Sequence, residues 1–469
     1  MHELTTSSLG KPTVVDASLS TCASYRATRV GSVRAPQGRR LKASMTATGY
    51  GSAETSLAVA RDGTLFMAPG YSAEGNGVLR SRDHGQTWEL LPLRLPDGSS
   101  TTREQPYMFM DPVTERLFVH NSVMRFRPPD FRGGYHQFIS DDQGDSWRYQ
   151  CFAPEVRDWS KYCAGPAVHS QTIDYPHALY FSGPSPLSTR FFPVMAPRFQ
   201  SFRRSLDGGR SWQRVGQISL SPRDVPNISR WEWVIFGNGV VGPDGSVYWI
   251  FRRGPQLALA ISRDEGASWD IVDVPNAPLL PFFNILQVGF VNPNYVIGEA
   301  LSIDTLGNLY LVWPDPDDRL RFSVSRDGGQ TFSEPVVISA PDVVNVSFGV
   351  ATVKEPGVIA IAYYGSFDGK SHHGYVAESR DALSTEPSFT GGIINPIDDP
   401  LYPHGFKVGY DQMILGGDLN EIVHVRYAPN GDILASFNKR MRRGAQKKGG
   451  WNAREHANSR LQAVLGRLS

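Results

Sequence analysis

The chain has 469 residues, with 47 lysines and arginines against 46 aspartates and glutamates; its net charge of +1 excludes a global preference for nucleic acid or an anionic surface. Glycine (46) and proline (34) are plentiful and aromatics reach 11%. No run of apolar residues approaches membrane-spanning length, and the composition is that of a turn-rich all-β chain.

The first residues, Met1-His-Glu-Leu-Thr-Thr-Ser-Ser, lack a charged region followed by an apolar core, so no secretory signal is expected and a cytoplasmic location is the expectation. The cysteines, Cys22, Cys151 and Cys163, are few and odd in number, which suits free thiols in a reducing compartment. Cys151 and Cys163 flank a short loop and would be the pair to bridge in an exported protein.

Residues 1–24 are read as an N-terminal extension. Tyr25-Arg-Ala-Thr-Arg-Val and Leu41-Lys-Ala-Ser-Met then alternate like strands around a turn at Pro36-Gln-Gly38. Pairs of apolar segments follow, each joined by a turn. They are Ser56–Ala60 with Thr64–Met67, Tyr107–Met110 with Leu117–Val119, and Ala167–Ser170 with Ala178–Phe181. Further along come Gly239–Val241 with Val247–Ile250, Ala300–Ile303 with Leu309–Trp313, and Gly349–Thr352 with Val358–Ile361. A seventh pair is Ile422–Val425 with Ile433–Phe437.

After each of the first five pairs stands the same phrase. It reads Ser81-Arg-Asp83-His-Gly85-Gln-Thr87-Trp88, then Ser140-Asp-Asp142-Gln-Gly144-Asp-Ser146-Trp147. It recurs as Ser205, Asp207, Gly209, Ser211 and Trp212, as Ser262, Asp264, Gly266, Ser268 and Trp269, and as Ser325, Asp327, Gly329, Thr331 and Phe332. A worn sixth copy, Ser379-Arg-Asp381, lacks the glycine. The aspartates stand about sixty residues apart, the length of a propeller blade and not of a short solenoid repeat. Glycine allows a positive φ in the turn, aspartate accepts backbone N–H bonds, and the aromatic ring opens the next strand by packing under the turn.

This phrase resembles the Asp-box of the sialidase (BNR-repeat) superfamily. The resemblance implies a β-propeller whose Asp-box turns lie on the outer rim, away from the substrate face, so the aspartates are read as structural. Sialidases have six blades. The seventh pair here needs partners, because a lone two-stranded sheet is marginal and exposes its edges. The two N-terminal strands supply them, so the expected fold is all-β, a seven-bladed β-propeller over 25–438 closed by N- and C-terminal strands, with six blades as the alternative. Residues 439–469 are read as a separate tail: a basic run from Lys439 to Lys448, then a short helix over Ala457–Leu468. In the C-terminal third, Ile359–Tyr364, Tyr375–Asp381 and Met413–Asn420 resemble the closing blades of bacterial sialidase-like proteins, a similarity covering most of Glu54–Phe437.

A sialidase site requires three arginines that grip a carboxylate. Where the family places the first, this chain has Ala53 followed by Glu54, and the carboxylate would repel a sialic acid. Arg252, after the Asp244-Gly245 turn, matches the second, and no third position is convincing. The fold resembles the family's while sialidase activity is not expected.

In a propeller the inner strands converge on the axis, and the loops entering them form a funnel. Acids recur at or before these strands: Glu54, Glu104, Glu232, Glu299, Asp418 and Glu421. Of these, Glu54, Glu104, Glu299 and Glu421 are the candidate catalytic carboxylates, able to divide acid and base roles if burial raises one pKa. The same acids could instead brace neighbouring strands, or bind a cation such as Ca²⁺; no cofactor is required. Arg252, Tyr364, His169 and Asp418 are the candidate substrate-binding residues. No His, Cys and carboxylate set shows transition-metal spacing. Two functions are expected: a hydrolase or lyase acting on a glycan or other polyhydroxylated substrate, or a non-catalytic propeller binding a glycan, small molecule or protein on the same face.

Overall fold

A computed structural model describes residues 14–16, 22–36, 40–70, 77–99, 107–124, 133–152, 160–185, 199–219, 236–279, 299–405, 423–441 and 461–469. These residues form seven antiparallel sheets and no helix. The sheets are the blades of a seven-bladed β-propeller, numbered here 1 to 7 from the inner strands Ala53–Val59, Tyr107–Met110, Lys161–Gly165, Phe236–Val241, Leu301–Ile303, Asn345–Glu355 and His424–Tyr427. Each inner strand touches the next, and the seventh touches the first, so the ring is closed.

The second strand of each blade explains why the chain packs this way. Val247–Arg253 in blade 4 is apolar without alternation because both of its faces are covered. Val247, Trp249 and Phe251 pack toward blade 3, while Tyr248 and Ile250 pack toward blade 5. In blade 5 every residue of Leu309–Pro314 is buried. Stacking blade on blade therefore makes a continuous core around the ring.

The repeated turns fasten each blade to its predecessor. In blade 2, Ser140 Oγ donates to Asp142 Oδ1 (2.8 Å), Gly144 N donates to Ser140 Oγ (2.8 Å) and Ser146 N donates to Asp142 Oδ1 (2.8 Å). The Ser146 hydroxyl and amide hold the Asp142 carboxyl below the usual carboxylate range. The glycine faces the preceding blade: a Cβ on Gly209 would stand 2.6 Å from Phe118 Cε1, and its φ is +83°. The residue before that glycine is gripped from the same side. Arg80 donates to Gln143 O (2.8 Å), Arg116 to Gly208 O (2.7 Å) and Arg467 to His84 O. The worn sixth copy keeps its core contact, with Ser388 N donating to Asp381 Oδ1 (2.7 Å).

The ring closes differently from the sequence expectation in three places. Blade 7 runs, from inside outward, His424–Tyr427, Ile433–Arg440, Leu461–Leu468, Ala43–Gly51 and Val14–Asp16. Leu461–Leu468 is thus a strand and not part of a helix, paired to Ile433–Arg440 on one side and to Ala43–Gly51 on the other. A leucine- and alanine-rich segment buried on both faces has no alternation by which periodicity could separate strand from helix. The propeller accordingly extends past 438, to Leu468. Second, Ala23–Arg26 joins blade 6 and not blade 7, pairing with Ser388–Ile393. Tyr25 is buried there, its ring stacked on Phe389 at 5.9 Å. Third, the inner strand of blade 3 is Lys161–Gly165; Ala167–Ser170 lies in the connection that follows it.

No disulfide joins Cys22, Cys151 or Cys163; Cys163 is buried in blade 3 and Cys151 is exposed on the outer strand of blade 2. No helix among the described residues is long and apolar enough to cross a membrane.

Gly209→Ala forces a Cβ onto Phe118 at a positive φ and is expected to lower stability by about 1–3 kcal/mol. Asp207→Ala removes the acceptor of the same turn at a similar cost of about 1–3 kcal/mol. Both are checked by denaturant unfolding, and both should leave ligand affinity of the folded protein unchanged.

Candidate functional site

Antiparallel connectivity puts two sets of connections at one end of the ring: first-to-second strand and third-to-fourth strand. The second set carries the repeated turns, so this end is the turn face. A cavity of about 450 Å³ lies on the axis toward this face. It is lined by closing residues of the inner strands, such as Val59, Met110, Ala164, Val241, Ile303 and Val353. Arg61, Asp111 and Glu115, from the connections after the inner strands of blades 1 and 2, complete its mouth.

Its inner end is an ion pair. Glu299, just before the inner strand of blade 5, faces Arg426 of blade 7 across the axis. Arg426 Nη2 donates to Glu299 Oε1 (2.7 Å) and Nη1 donates to Oε2, a two-pronged grip. Arg426 Nη2 also donates to His424 Nδ1 (3.1 Å), and the Tyr107 hydroxyl stands 3.4 Å from Glu299 Oε1. Strand period explains the pairing, because His424 and Arg426 are two residues apart and share a side of their strand.

The charge states follow from this packing. Burial is the largest influence and works to raise the Glu299 carboxyl, but Arg426, together with His424 and Lys161, outweighs it and brings the pKa down to about 2. Burial pushes the His424 imidazole down to about 3, so it is neutral at pH 7. His120 is also pushed down by burial, among Tyr107, Tyr135, Tyr162 and Phe181 at ring distances of 5.6, 5.0, 5.2 and 5.3 Å. Lys161, 2% exposed, lies over the Tyr107 ring with Nζ 4.4 Å from its centroid.

The other lining groups are held by the protein as well. Asp111 accepts from His177 Nε2 (2.6 Å), the Tyr175 hydroxyl, Val113 N (2.8 Å) and Thr114 N (3.0 Å). Asn238 braces blade 4 to blade 5, donating to Leu301 O (2.7 Å) and accepting from Leu301 N (3.0 Å). Among the described residues no group of three histidines, cysteines or carboxylates is placed to hold a metal ion.

Of the residues singled out by sequence, Glu299 is at the axis. Glu104, Glu232, Asp418 and Glu421 lie outside the described residues, and Glu54 is described only as part of the strand Ala53–Val59. Arg252 is near the end of the second strand of blade 4, buried on the side of Tyr248 and Ile250. Two placements correct the expectation. Tyr364 does not face a funnel: it is fully buried between blades 6 and 7, edge-on to Phe437 at 5.0 Å, and its hydroxyl accepts from Asn438 N (2.8 Å). A tyrosine near a strand end meets the neighbouring blade when both faces of that strand are covered.

His169 is exposed on the turn face, after its inner strand and not before it. The Glu265 carboxylate holds that loop, accepting from Val168 N (2.8 Å), His169 N (2.8 Å) and Ser170 N (3.1 Å). Sequence reasoning missed Arg426, His424 and Lys161. The signal available was a basic or imidazole side chain at alternate positions of an otherwise apolar inner strand.

No family model matches the chain, and no curated protein matches it. Solved structures do. A protein of unknown function from Dyadobacter fermentans is 14% identical over 90% of this chain and 95% of its own, with a TM-score of 0.41. An intramolecular trans-sialidase from Ruminococcus gnavus is 15% identical over 87% of this chain and 93% of its own, with a TM-score of 0.38. The Aleuria aurantia lectin is 9% identical over 73% of this chain and 96% of its own, with a TM-score of 0.41. The propeller assignment rests on the seven sheets themselves and not on these likenesses.

Arg426→Ala leaves Glu299 buried without its partner and is expected to cost about 3 kcal/mol at neutral pH. The Glu299 carboxyl is depressed from 4.5 to about 2. Its stabilisation is therefore present above pH 4.5 and lost as pH falls toward 2. The stability gap between the wild type and Glu299→Gln should shrink across that window. Denaturant unfolding at a series of pH values measures it.

Proposed function

We propose that the protein is a sialidase-like β-propeller that binds a glycan or other polar small molecule in its axial cavity without cleaving it. One observation carries this reading: the axial carboxylate is an ionised partner of Arg426, with a pKa depressed to about 2. A general acid for glycoside chemistry needs the opposite shift, and a general base works best with a pKa near the operating pH. Glu299 has neither property. Other cavity groups have fixed partners, a lining suited to holding a ligand in one orientation.

Sialoside chemistry is disfavoured on separate grounds. The inner strand of blade 1 opens with Ala53, where the family resemblance calls for an arginine. Arg252 alone cannot clamp a carboxylate in the manner of three converging guanidinium groups.

The test is a glycan and glycoside library read for both binding and turnover on the purified protein. Saturable binding without product is expected, as is no release of sialic acid from sialosides. Turnover of any glycoside would contradict the reading, and sialic acid release abolished by Arg252→Ala would restore a sialidase.

A further inference from the structure

The binding reading leaves open which end of the axis the ligand enters and what chemistry it carries. The cavity is built mostly from the closing halves of the inner strands and the connections that follow them, with Tyr107 and Glu299 at its inner end, and those connections lie on the turn face. The loops that enter the inner strands, where the sequence places the candidate acids, lie at the other end. We propose, resting on the binding reading, that the axial cavity is entered from the turn face and takes a neutral sugar ring, packed on Phe109 with its hydroxyls toward Glu299 and Ser302.

The wall comes first. Phe109 and Tyr162 lie 5.8 Å apart with an interplanar angle of 26°, and Tyr107 precedes Phe109 by one strand period, on the same side. All three line the cavity. Phe109, half-buried, is the ring with surface left for the C–H side of a sugar, and the buried rings of Tyr107 and Tyr162 back it. Opposite stand groups with capacity left for hydroxyls. Ser302 Oγ donates to Ala351 O (2.8 Å), which leaves its lone pairs to accept. The Glu299 carboxylate can accept more bonds than the two from Arg426 and the long one from Tyr107.

Charge excludes the ionic alternatives. Glu299 is neutralised by Arg426, and Asp111 is surrounded by donors. The Arg61 guanidinium is held by Pro112 O (2.8 Å) and Val113 O (2.7 Å), while its amide donates to Glu115. The lining therefore carries both signs, Arg61 and Arg426 against Asp111, Glu115 and Glu299, and an anion or a cation entering it would lose its water without meeting a field of one opposite sign. A neutral polyol meets no such penalty. The volume, about 450 Å³, lies in the range of small-ligand sites, roughly 300–1,000 Å³.

The test is calorimetric titration of a panel of neutral mono- and disaccharides, with free sialic acid and glucosamine as the anionic and cationic members. Four proteins are compared: wild type, Phe109→Ala, Met110→Trp and Phe367→Ala. Phe109→Ala removes part of the wall, and Met110→Trp narrows the mouth. Phe367 is an exposed residue on the opposite face, between the second and third strands of blade 6, and serves as the control. A neutral sugar should bind the wild type, weaken about tenfold in Phe109→Ala, disappear in Met110→Trp and be unchanged in Phe367→Ala. If Met110→Trp does not fold, as judged by its melting, Thr352→Trp blocks the same cavity from blade 6. No binding by any sugar would overturn the binding reading itself. Binding that survives Phe109→Ala and the blocked mouth, that is lost in Phe367→Ala, or that is confined to the charged sugars would overturn this placement and leave the binding reading standing.

Discussion

Everything in this molecule depends on how one blade sits on the next. The seat is a turn with no side chain at its apex: Gly209 lies so close to Phe118, and Gly329 to Leu259, that any Cβ would collide. Around each glycine, serine and aspartate supply the hydrogen bonds the tight turn would otherwise leave unmade, as Ser325 and Asp327 do for Gly329 and Thr331. An arginine from the preceding blade then holds the turn's carbonyl in several copies. In blade 4 the positions are exchanged: Glu265 occupies the place before the glycine at a φ of 56°, and its carboxylate reaches back to the Val168–Ser170 amides and to Arg204 of blade 3. Different chemistry makes the same joint, which marks the joint as the constraint and the residue type as one of its solutions.

Seven such blades leave a cavity on the axis. Blades 5 and 7 contribute Glu299 and Arg426, which lie far apart in sequence and meet in one grip. The pair keeps the acid ionised and the neighbouring His424 neutral. A site balanced in this way is poor at proton transfer and well suited to orienting hydroxyl groups. The pair gains little over a well-packed apolar lining, since buried ion pairs recover little more than their desolvation. A polar lining on the axis is explained by a ligand more readily than by stability.

The fold was legible in the sequence because its joint is local. Five copies of an eight-residue turn at regular spacing, each after a pair of apolar segments, are enough to mark the blades. The seventh pair, with no such turn after it, favours seven, with six as the alternative. The closing elements were harder, since their neighbours are remote in sequence. Nothing in Leu461–Leu468 tells that it lies between Ala43–Gly51 and Ile433–Arg440, and nothing in Tyr25 tells that Phe389 awaits it. The site was legible in part for the same reason. Glu299 could be marked as an acid entering an inner strand, but its partner Arg426 belongs to another blade, and only the ring brings them together. Tyr364 misled because a strand end in sequence is a buried seam in space, where Phe437 covers its ring.

The most direct measurement is the structure of the protein with a neutral sugar bound. The sugar is expected in the axial cavity on the turn side, its ring against Phe109 and a hydroxyl within hydrogen-bonding distance of Glu299, with the Glu299–Arg426 pair intact. A sugar bound at the opposite end of the axis, or one that has displaced Arg426 and been cleaved beside Glu299, would contradict it.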